Sequence, residues 1–336
     1  MSEAGALRVR RALAAACAAG ALFALACFTP SAPAPHDANV IRPLELAHAE
    51  RLLVMVPHPD DEVLCCAGLI ARVLAEGGSV HLVYATHGDG YREGVVAETR
   101  EASPGPEVFR AYGERRRRES LAVLHQLGVP ERQARFLGFP DGGLRALWDH
   151  RFQDERPYRS RTTAADRPPY PDSPARGRSY TAEHLETELA RALDEAKPTL
   201  LVIPDPRDQH GDHNALGLFS IDAFTDASRS QYGSARILTY LVHWRSWPEQ
   251  TADLGAPLEP PHDFATATLG WRVLALDPAA SAEKRRLLHL YATQMTVMGS
   301  FLERFPRRNE LFGALDDLGL RPLSDRGHAD EARRLP

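Results

Sequence analysis

Residues 51–68 read RLLVMVPHPDDEVLCCAG. The apolar run at residues 52–56 has the length and β-branched content of a buried strand, and the prolines on either side of His58 end it in a turn. Three acidic residues, at positions 60–62, follow the turn directly. Because charged side chains are costly to bury without partners, a histidine and three acids at the end of a buried strand indicate a functional site.

The segment after this turn completes a βαβ unit. Residues 62–76 have apolar side chains at helical spacing and end at two glycines, which predicts a helix. The sequence SVHLVYAT at residues 79–86 then predicts a second buried strand. Strands joined by a helix in this way pair in parallel with a right-handed crossover, so the sequence predicts an α/β fold with a parallel sheet.

Further elements of the same kind follow along the chain. After a loop-like stretch that ends near Pro106, we predict helices at residues 107–127, 181–197 and 281–298, and strands at residues 135–138, 199–203, 236–242 and 272–276.

Residues 148–180 differ from the rest of the chain in composition. They are rich in Arg, Pro, Tyr and Ser and show no hydrophobic period, which predicts a loop-rich insertion that lies over the site or acts as a mobile lid. The tyrosines and arginines of this segment suit contacts with a sugar or an anion. A surface loop without such a role is the alternative.

Length and composition favour one large domain. A chain of 336 residues with 43% hydrophobic content is long enough to bury a sizeable core, and we place the domain at residues 45–300 with a C-terminal extension at 301–336. A formal charge of −5 and a pI near 6.3 lack the basic surface that non-specific nucleic-acid binding requires. We therefore exclude a nucleic-acid partner.

The first 35 residues have the pattern of a secretory signal. Arginines at positions 8, 10 and 11 precede an uncharged apolar run at residues 12–28, and small residues and prolines follow it. The run has 17 residues, close to the ~20 that a membrane span needs, so an uncleaved anchor is one alternative. A lipidated Cys27 is another. We predict an exported protein whose N-terminal segment is cleaved, lipidated or retained.

Two short motifs place histidines and aspartates after buried strands: HPDD at residues 58–61 and HGDH at residues 210–213. Parallel strands end at one edge of the sheet, so the motifs are expected to face one another at the switch point. Nitrogen and carboxylate ligands suit zinc, which in catalytic sites has three protein ligands and an open position, although other divalent metals accept similar ligands. His58, Asp61 and His213 form such a set.

Each motif has a structural alternative when it is taken alone. HPDD is compatible with a turn held by side-chain caps, and HGDH with the N-cap of a helix. The presence of both motifs at the ends of buried strands favours the metal site.

These motifs resemble those of the PIG-L/LmbE-like family of zinc-dependent N-acetylglucosaminyl de-N-acetylases. The resemblance extends from about residue 52 to residue 214, with a weaker similarity at residues 284–294. It implies a Rossmann-like, doubly wound, mostly parallel sheet with helices on both faces. It also implies the roles of six residues: zinc ligands His58, Asp61 and His213, general base Asp60, charge-stabilising His210, and Asp212 as the residue that orients His210.

Three further residues match family positions that are expected to contact the sugar. They are Asp89 in the loop after the second strand, Arg116 ahead of the LGV sequence, and Asp141 in FPDGG. Arg116 belongs to a run of four arginines, for which a solvated helix face is the alternative. Gly211 stands where the family often has proline, a departure that bears on substrate preference rather than on the metal or the base.

We predict from these features an exported zinc-dependent hydrolase that removes the N-acetyl group from an N-acetylglucosamine-type sugar or glycoconjugate. Two alternatives stay open: an amidohydrolase for a longer N-acyl group, and a non-catalytic cell-surface protein that binds sugars. A binding protein has no need of Asp60 beside the metal ligands, which favours an enzyme. The sequence does not determine the sugar or the oligomeric state.

Overall fold

An eight-stranded sheet organises the residues that the computed structural model describes, which are 41–228, 235–251, 253–264 and 270–315. Within these residues, no helix is both long and apolar enough to cross a lipid bilayer. The signal or anchor segment predicted at residues 1–35 lies outside them.

The strands of the sheet are β1 (Ile41–Pro43), β2 (Arg51–Val56), β3 (Ser79–Thr86), β4 (Ala134–Phe139), β5 (Leu200–Pro204), β6 (Arg236–Tyr240), β7 (Gly270–Ala275) and β8 (Asn309–Ala314). Their order across the sheet is β1-β7-β8-β6-β5-β2-β3-β4. β8 runs antiparallel to β6 and β7, and the other neighbouring strands are parallel. The predicted α/β fold with a mostly parallel sheet is confirmed.

The helices in this part of the chain are α1 (Asp61–Ala75), α2 (Arg92–Thr99), α3 (Pro106–Leu127), α4 (Leu144–His150), α5 (Ala182–Ala196), α6 (Gly211–Ser228), α7 (Pro278–Leu288) and α8 (Ala292–Leu302), with a 3₁₀ turn at Glu131–Gln133. They pack on both faces of the sheet. One core contains side chains of α1, α3, α7 and α8, and the other contains side chains of α4, α5 and α6.

β2 contributes to both cores because successive side chains of a strand point to opposite faces. Leu52, Val54 and Val56 enter the first core, and Leu53 and Met55 enter the second. All five are fully buried, and burial of each such side chain contributes about 1.5–3 kcal/mol. The loop that follows β2 is therefore attached to a strand that is packed on both faces.

The chain reverses its direction of travel across the sheet at β2. It goes from β2 to β3 and β4 on one side, and β5 and β6 lie on the other side. The carboxyl ends of β2 and β5 thus flank a topological switch point, where open α/β sheets form a crevice. Both predicted motifs begin at this edge.

Several elements differ from those predicted, and β1 and α4 were not predicted. The loop-like stretch before Pro106 contains α2, and the helix predicted at residues 281–298 is two helices, α7 and α8. Tyr291 interrupts that helix: its backbone is not helical, and its buried hydroxyl donates to Glu62. β8 was missed, so the sheet extends beyond residue 300, where we had ended the domain. Glu310 within β8 pairs with buried Lys284 at 2.8 Å. A charged residue in this segment interrupts the apolar pattern from which a buried strand is predicted.

Residues 151–180 have irregular backbone and turns, yet part of the segment is packed against β4. The Ser173 hydroxyl donates to the carbonyl oxygen of Leu137 at 2.6 Å, and the Tyr180 hydroxyl donates to that of Gly138 at 2.8 Å. Tyr170 is also buried. These contacts hold the segment beside the loops that follow β3 and β4, while its role as a lid stays a prediction.

Candidate active site

Two neighbouring loops carry the predicted motifs. The loop after β2 leads into α1, and the loop after β5 leads into α6, which begins at Gly211 rather than near Asn214 as predicted. Because β2 and β5 are adjacent strands, residues far apart in sequence meet here. The ring centroids of His58 and His213 are 5.3 Å apart.

Asp61 lies close to both of the other predicted metal ligands. Oδ2 of Asp61 lies 3.3 Å from Nδ1 of His58 and 3.4 Å from Nε2 of His213. A tetrahedral ion with ligand bonds of about 2.0–2.1 Å separates neighbouring ligand atoms by about 3.3–3.4 Å. The two separations therefore match those of a small tetrahedral cation site.

His213 is suited to act as a ligand. Burial, together with the positive charge that neighbouring histidines carry when protonated, holds the pKa of His213 well below its usual value, so its imidazole is neutral and offers a lone pair. Both ring nitrogens are buried, and within the described structure neither has a hydrogen-bond partner. Such buried polar atoms are rare without a partner, and a bound cation would satisfy Nε2.

The other side of the His58 ring contacts two further carboxylates. Nε2 of His58 lies 3.2 Å from Oδ2 of Asp212 and 3.2 Å from Oδ1 of Asp141. Burial alone would lower the pKa of His58, but the surrounding carboxylates, Asp141 foremost, raise it well above its usual value. The surrounding carboxylates therefore favour the positively charged form of His58.

Asp212 was expected to orient His210. Its carboxylate instead contacts other groups. Its Oδ2 accepts from the backbone N–H of Gly142 at 2.7 Å and faces His58, and its Oδ1 accepts from the N–H of Leu144 at 3.0 Å. Asp212 stands in the first turn of α6, and this position turns its side chain toward the loop after β4. The residue therefore joins that loop to His58.

Two groups of side chains have ligand atoms within 4.8 Å of one another: His58, His210 and His213, and His58, Asp141 and Asp212. In the second group, both oxygens of Asp212 accept backbone N–H groups, whereas the first group consists of three imidazoles, which suit zinc. Neither group is the predicted set of His58, Asp61 and His213, although the first shares His58 and His213 with it. The histidine-rich side of the crevice, with Asp61, is thus the better candidate site.

Asp60 has an unusual backbone conformation. Its φ is 114° and its ψ −30°, a region that non-glycine residues rarely adopt. The surrounding structure maintains this strain: the carbonyl oxygen of Asp60 accepts from the N–H groups of Val63 and Leu64 at the start of α1. As a result, the side chains of Asp60 and Asp61 point to different partners although they are sequence neighbours.

The partner of Asp60 is Arg116. The guanidinium, which is 3% exposed, donates to Oδ2 of Asp60 at 3.2 Å and to the carbonyl oxygens of Pro59 at 2.7 Å and Gly88 at 2.9 Å. Arg116 is therefore not on a solvated helix face. It connects the loops after β2 and β3, and its contact with a sugar stays a prediction.

Two opposing effects act on the pKa of Asp60. Burial raises the pKa of Asp60 well above its usual range, and the charge of Arg116 opposes this effect. A cation held by the adjacent Asp61 would also favour the ionised form of Asp60.

His210 is neutral rather than cationic. Burial and the charge of His58 lower the pKa of His210. The backbone N–H of Asp212 lies 3.2 Å from Nδ1 of His210 and donates to it, which places the ring proton on Nε2. His210 can therefore donate one hydrogen bond from Nε2 as a neutral imidazole, and its predicted charge-stabilising role does not require an imidazolium.

The two acids predicted to contact the sugar already have partners within the protein. Oδ2 of Asp89 accepts from the hydroxyl of Tyr170, whose ring stacks on His87 at a centroid distance of 3.6 Å. Asp141 accepts from the N–H of Gly90 and contacts His58. Burial raises the pKa of Asp89 to about 7. The predicted sugar contacts of both acids stay untested.

Two site residues were missed by sequence reasoning. Asp208, two residues before the HGDH motif, lies behind His213, and His243 follows β6 with its ring centroid 4.9 Å from that of His213. The His243 ring also stacks on Phe301. A signal for His243 was available, since it directly follows a predicted strand at the same edge of the sheet.

Fold and site together define a doubly wound α/β protein with a candidate divalent-cation site at its switch point. The chain matches the PIG-L family, described as GlcNAc-PI de-N-acetylase, over residues 53–224, which is just over half of its length. The chain belongs to this family, and the resemblance inferred from its motifs is confirmed.

Two curated relatives are named 1D-myo-inositol 2-acetamido-2-deoxy-α-D-glucopyranoside deacetylase. The one from Mycolicibacterium vanbaalenii is 33% identical over 161 residues, covering 48% of this chain and 49% of the relative. The one from Streptomyces griseus is 30% identical over 214 residues, covering 62% and 59%. The chain thus spans about half to three-fifths of the length of these two relatives.

The fold is also similar to that of a solved structure, the A40926 pseudoaglycone deacetylase Dbv21. The TM-score is 0.50 at 18% identity, with 80% of this chain and 97% of that chain covered. At this identity the similarity bears on the fold alone.

Proposed function

We propose that this protein is an exported zinc-dependent hydrolase that removes the N-acetyl group from an N-acetylglucosamine-type sugar or glycoconjugate. The observation that carries the proposal is that Oδ2 of Asp61 lies 3.3 Å from Nδ1 of His58 and 3.4 Å from Nε2 of His213, with Asp60 next to Asp61 in the sequence. Family membership and the names of the relatives support the same reaction.

The three ligands would hold the cation at the carboxyl edge of β2 and β5. A zinc ion bound there would supply Lewis-acid activation of water and of the acetyl carbonyl. His213 offers a neutral imidazole, and Asp61 keeps its place by accepting the backbone N–H of His58 at 3.0 Å. Asp141 and Asp212 hold the far side of the His58 ring.

Asp60 would transfer the protons of the reaction. Its carboxylate would take a proton from the attacking water and return it to the departing amine, which leaves as the free amino sugar while the acyl carbon leaves as acetate. Arg116 fixes the position of this carboxylate through Oδ2, so that Oδ1 is the oxygen available for proton transfer.

His210 would stabilise the negative charge that develops on the carbonyl oxygen. Its Nε2 carries the proton because Nδ1 accepts from the N–H of Asp212. A preorganised donor of this kind contributes about 10²–10³-fold in rate where it has been removed from other enzymes. Because His210 is neutral, this contribution requires no proton uptake at neutral pH.

Export is the second part of the proposal, and it rests on the sequence of residues 1–35. A basic start, an apolar run and a small-residue exit are the parts of a secretory signal. Expression of the full chain in a bacterium, followed by cell fractionation and N-terminal sequencing, tests this part. Recovery of the intact chain in the cytoplasm would contradict it.

The reaction is tested with the purified, zinc-loaded protein. We expect acetate release from 1D-myo-inositol 2-acetamido-2-deoxy-α-D-glucopyranoside or from simpler N-acetylglucosaminides. The same assay with N-octanoylglucosaminides distinguishes a preference for longer acyl groups. Stoichiometric zinc without turnover of any acylated amino sugar would overturn the hydrolase and favour a sugar-binding protein.

A further inference from the structure

Asp208 is a buried carboxylate at the site that the reaction proposed above does not use. It is 3% exposed and lies in the loop between β5 and α6. Oδ1 accepts from the N–H of His210 at 2.9 Å, and Oδ2 accepts from the N–H groups of Val242 at 2.9 Å and His243 at 3.0 Å. One side chain thus connects the loop after β5 to the residues that follow β6.

Oδ2 of Asp208 also faces the His213 ring, 3.5 Å from Nδ1, and both side chains are fully buried. The other ring nitrogen, Nε2, faces Oδ2 of Asp61 at 3.4 Å. Each nitrogen of a neutral imidazole thus faces a carboxylate, but only one nitrogen can carry the proton. The position of that proton decides which nitrogen can bind a cation.

Three features favour a proton on Nδ1. Nδ1 lies 3.5 Å from a carboxylate that backbone N–H groups hold in place, whereas Asp61 is also needed as a ligand. Histidines that bind metals commonly donate their second N–H to a carboxylate, which fixes the tautomer and the ring orientation. In addition, His213 has no solvent exposure, so water does not compete for Nδ1.

We propose that Asp208 is a positioning residue that holds the proton of His213 on Nδ1 and so directs the Nε2 lone pair at the cation site. The inference rests on the proposed function, because it assumes that His213 is a ligand. It goes beyond that function by assigning the position of a proton to a residue outside the ligand set.

The chain offers a matched control in Asp205, a second buried carboxylate of the same loop. It is 2% exposed, and its partners are Arg207 and Thr239. Replacing either aspartate by asparagine removes a buried charge and leaves the volume nearly unchanged. Only Asp208→Asn alters the group that faces His213.

The first experiment measures zinc affinity of the full chain by competition with a chromogenic chelator, and the melting temperature of the metal-free protein. We expect Asp208→Asn to weaken zinc binding about 10–100-fold, and Asp205→Asn to change it no more than about threefold. Equal zinc affinities of the two variants would overturn the proposal, because a purely structural role would lower only the melting temperature of the metal-free protein.

The second experiment applies even if Asp208→Asn does not fold. Long-range ¹H–¹⁵N correlation spectra of metal-free wild-type protein report which nitrogen of His213 is protonated, and His213→Gln identifies the signal. We expect Nδ1–H, and Nε2–H would overturn the proposal. Failure of the wild type to bind zinc would instead contradict the proposed function, and the spectrum would still decide the role of Asp208.

Discussion

The loops after β2 and β5 differ from the loops after β3 and β4 in what their polar side chains contact. In the first pair, His58, Asp61 and His213 face one another across the crevice, and both ring nitrogens of His213 have no hydrogen-bond partner in the described structure. In the second pair, Asp89 and Asp141 accept hydrogen bonds from Tyr170 and Gly90, as Asp61 does from His58, so the difference lies in the two unpartnered ring nitrogens of His213. The first pair is arranged to bind a ligand, and the second to support it.

This difference shows what a motif can and cannot specify. A residue at the end of a parallel strand reaches the common edge wherever the strand lies in the sheet. The partner it finds there depends on loops and insertions. Tyr170, which occupies one oxygen of Asp89, comes from the irregular segment 151–180 and has no motif of its own.

The largest expected effect follows from removing a ligand in the first pair of loops. His213→Ala should lose stoichiometric zinc and reduce acetate release by about 10³-fold or more, since Lewis-acid stabilisation is worth several kcal/mol and each 1.36 kcal/mol is tenfold. Zinc analysis and kinetic assays measure both. His87→Ala, which removes a buried histidine near β3, is the control and should keep its zinc. Zinc loss in both variants would remove the distinction between the two regions.

Arg116 connects the two regions, and its removal should destabilise the fold. Arg116→Met leaves Asp60 and two carbonyl groups without their donor, and breaking such a buried pair costs about 3–5 kcal/mol. Denaturant unfolding of the metal-free protein measures the loss. Arg115→Met, at a neighbouring side chain that is 44% exposed, should cost at most about 1 kcal/mol. Similar losses in the two variants would show that Arg116 does not connect the loops.

Asp89 should make stability depend on pH. Burial raises its pKa to about 7 in the folded protein, well above the ordinary value of an aspartate, so the folded state holds a proton that the unfolded state releases. Its contribution to stability is therefore complete below about pH 4 and is lost as the pH rises through 7. The unfolding free energy of Asp89→Asn relative to wild type should rise by about 2–3 kcal/mol from pH 5 to pH 8.

Asp172→Asn is the control for this pH profile. Asp172 lies in the same irregular segment as Tyr170, and its side chain is 69% exposed. Its variant should follow the wild-type profile at every pH. A constant difference between Asp89→Asn and wild type across this range would show that Asp89 is ionised in the folded protein.

Much of the fold was predictable because its signals are local. β2 and β5 are apolar runs that end at prolines, β3 is a mostly apolar run that follows two glycines, and the Thr181 side chain caps α5 at the predicted position. β8 was not predictable in this way. Its buried Glu310 is compensated by Lys284, which is close in space but lies in another element.

The sequence allowed us to predict which residues lie close together in the site. It did not allow us to predict how each side chain is oriented. The proximity of His58, Asp61 and His213 follows from adjacent parallel strands. The pairing of Asp212 with His58 depends on the first turn of α6 and on the loop after β4, and the position of Asp208 depends on the residues after β6. Such contacts arise from tertiary structure, which spacing in the sequence does not encode.

The central claim is that Asp60 is the general base and Asp61 is a metal ligand. Zinc content and acetate release, measured on the same preparations, test this claim most directly. Asp60→Asn should bind one zinc ion as the wild type does, yet its rate of acetate release should be lower by about 10²-fold or more. Asp61→Asn should lose the zinc. Full acetate release by Asp60→Asn, or wild-type zinc binding by Asp61→Asn, would contradict the assignment of base and ligand.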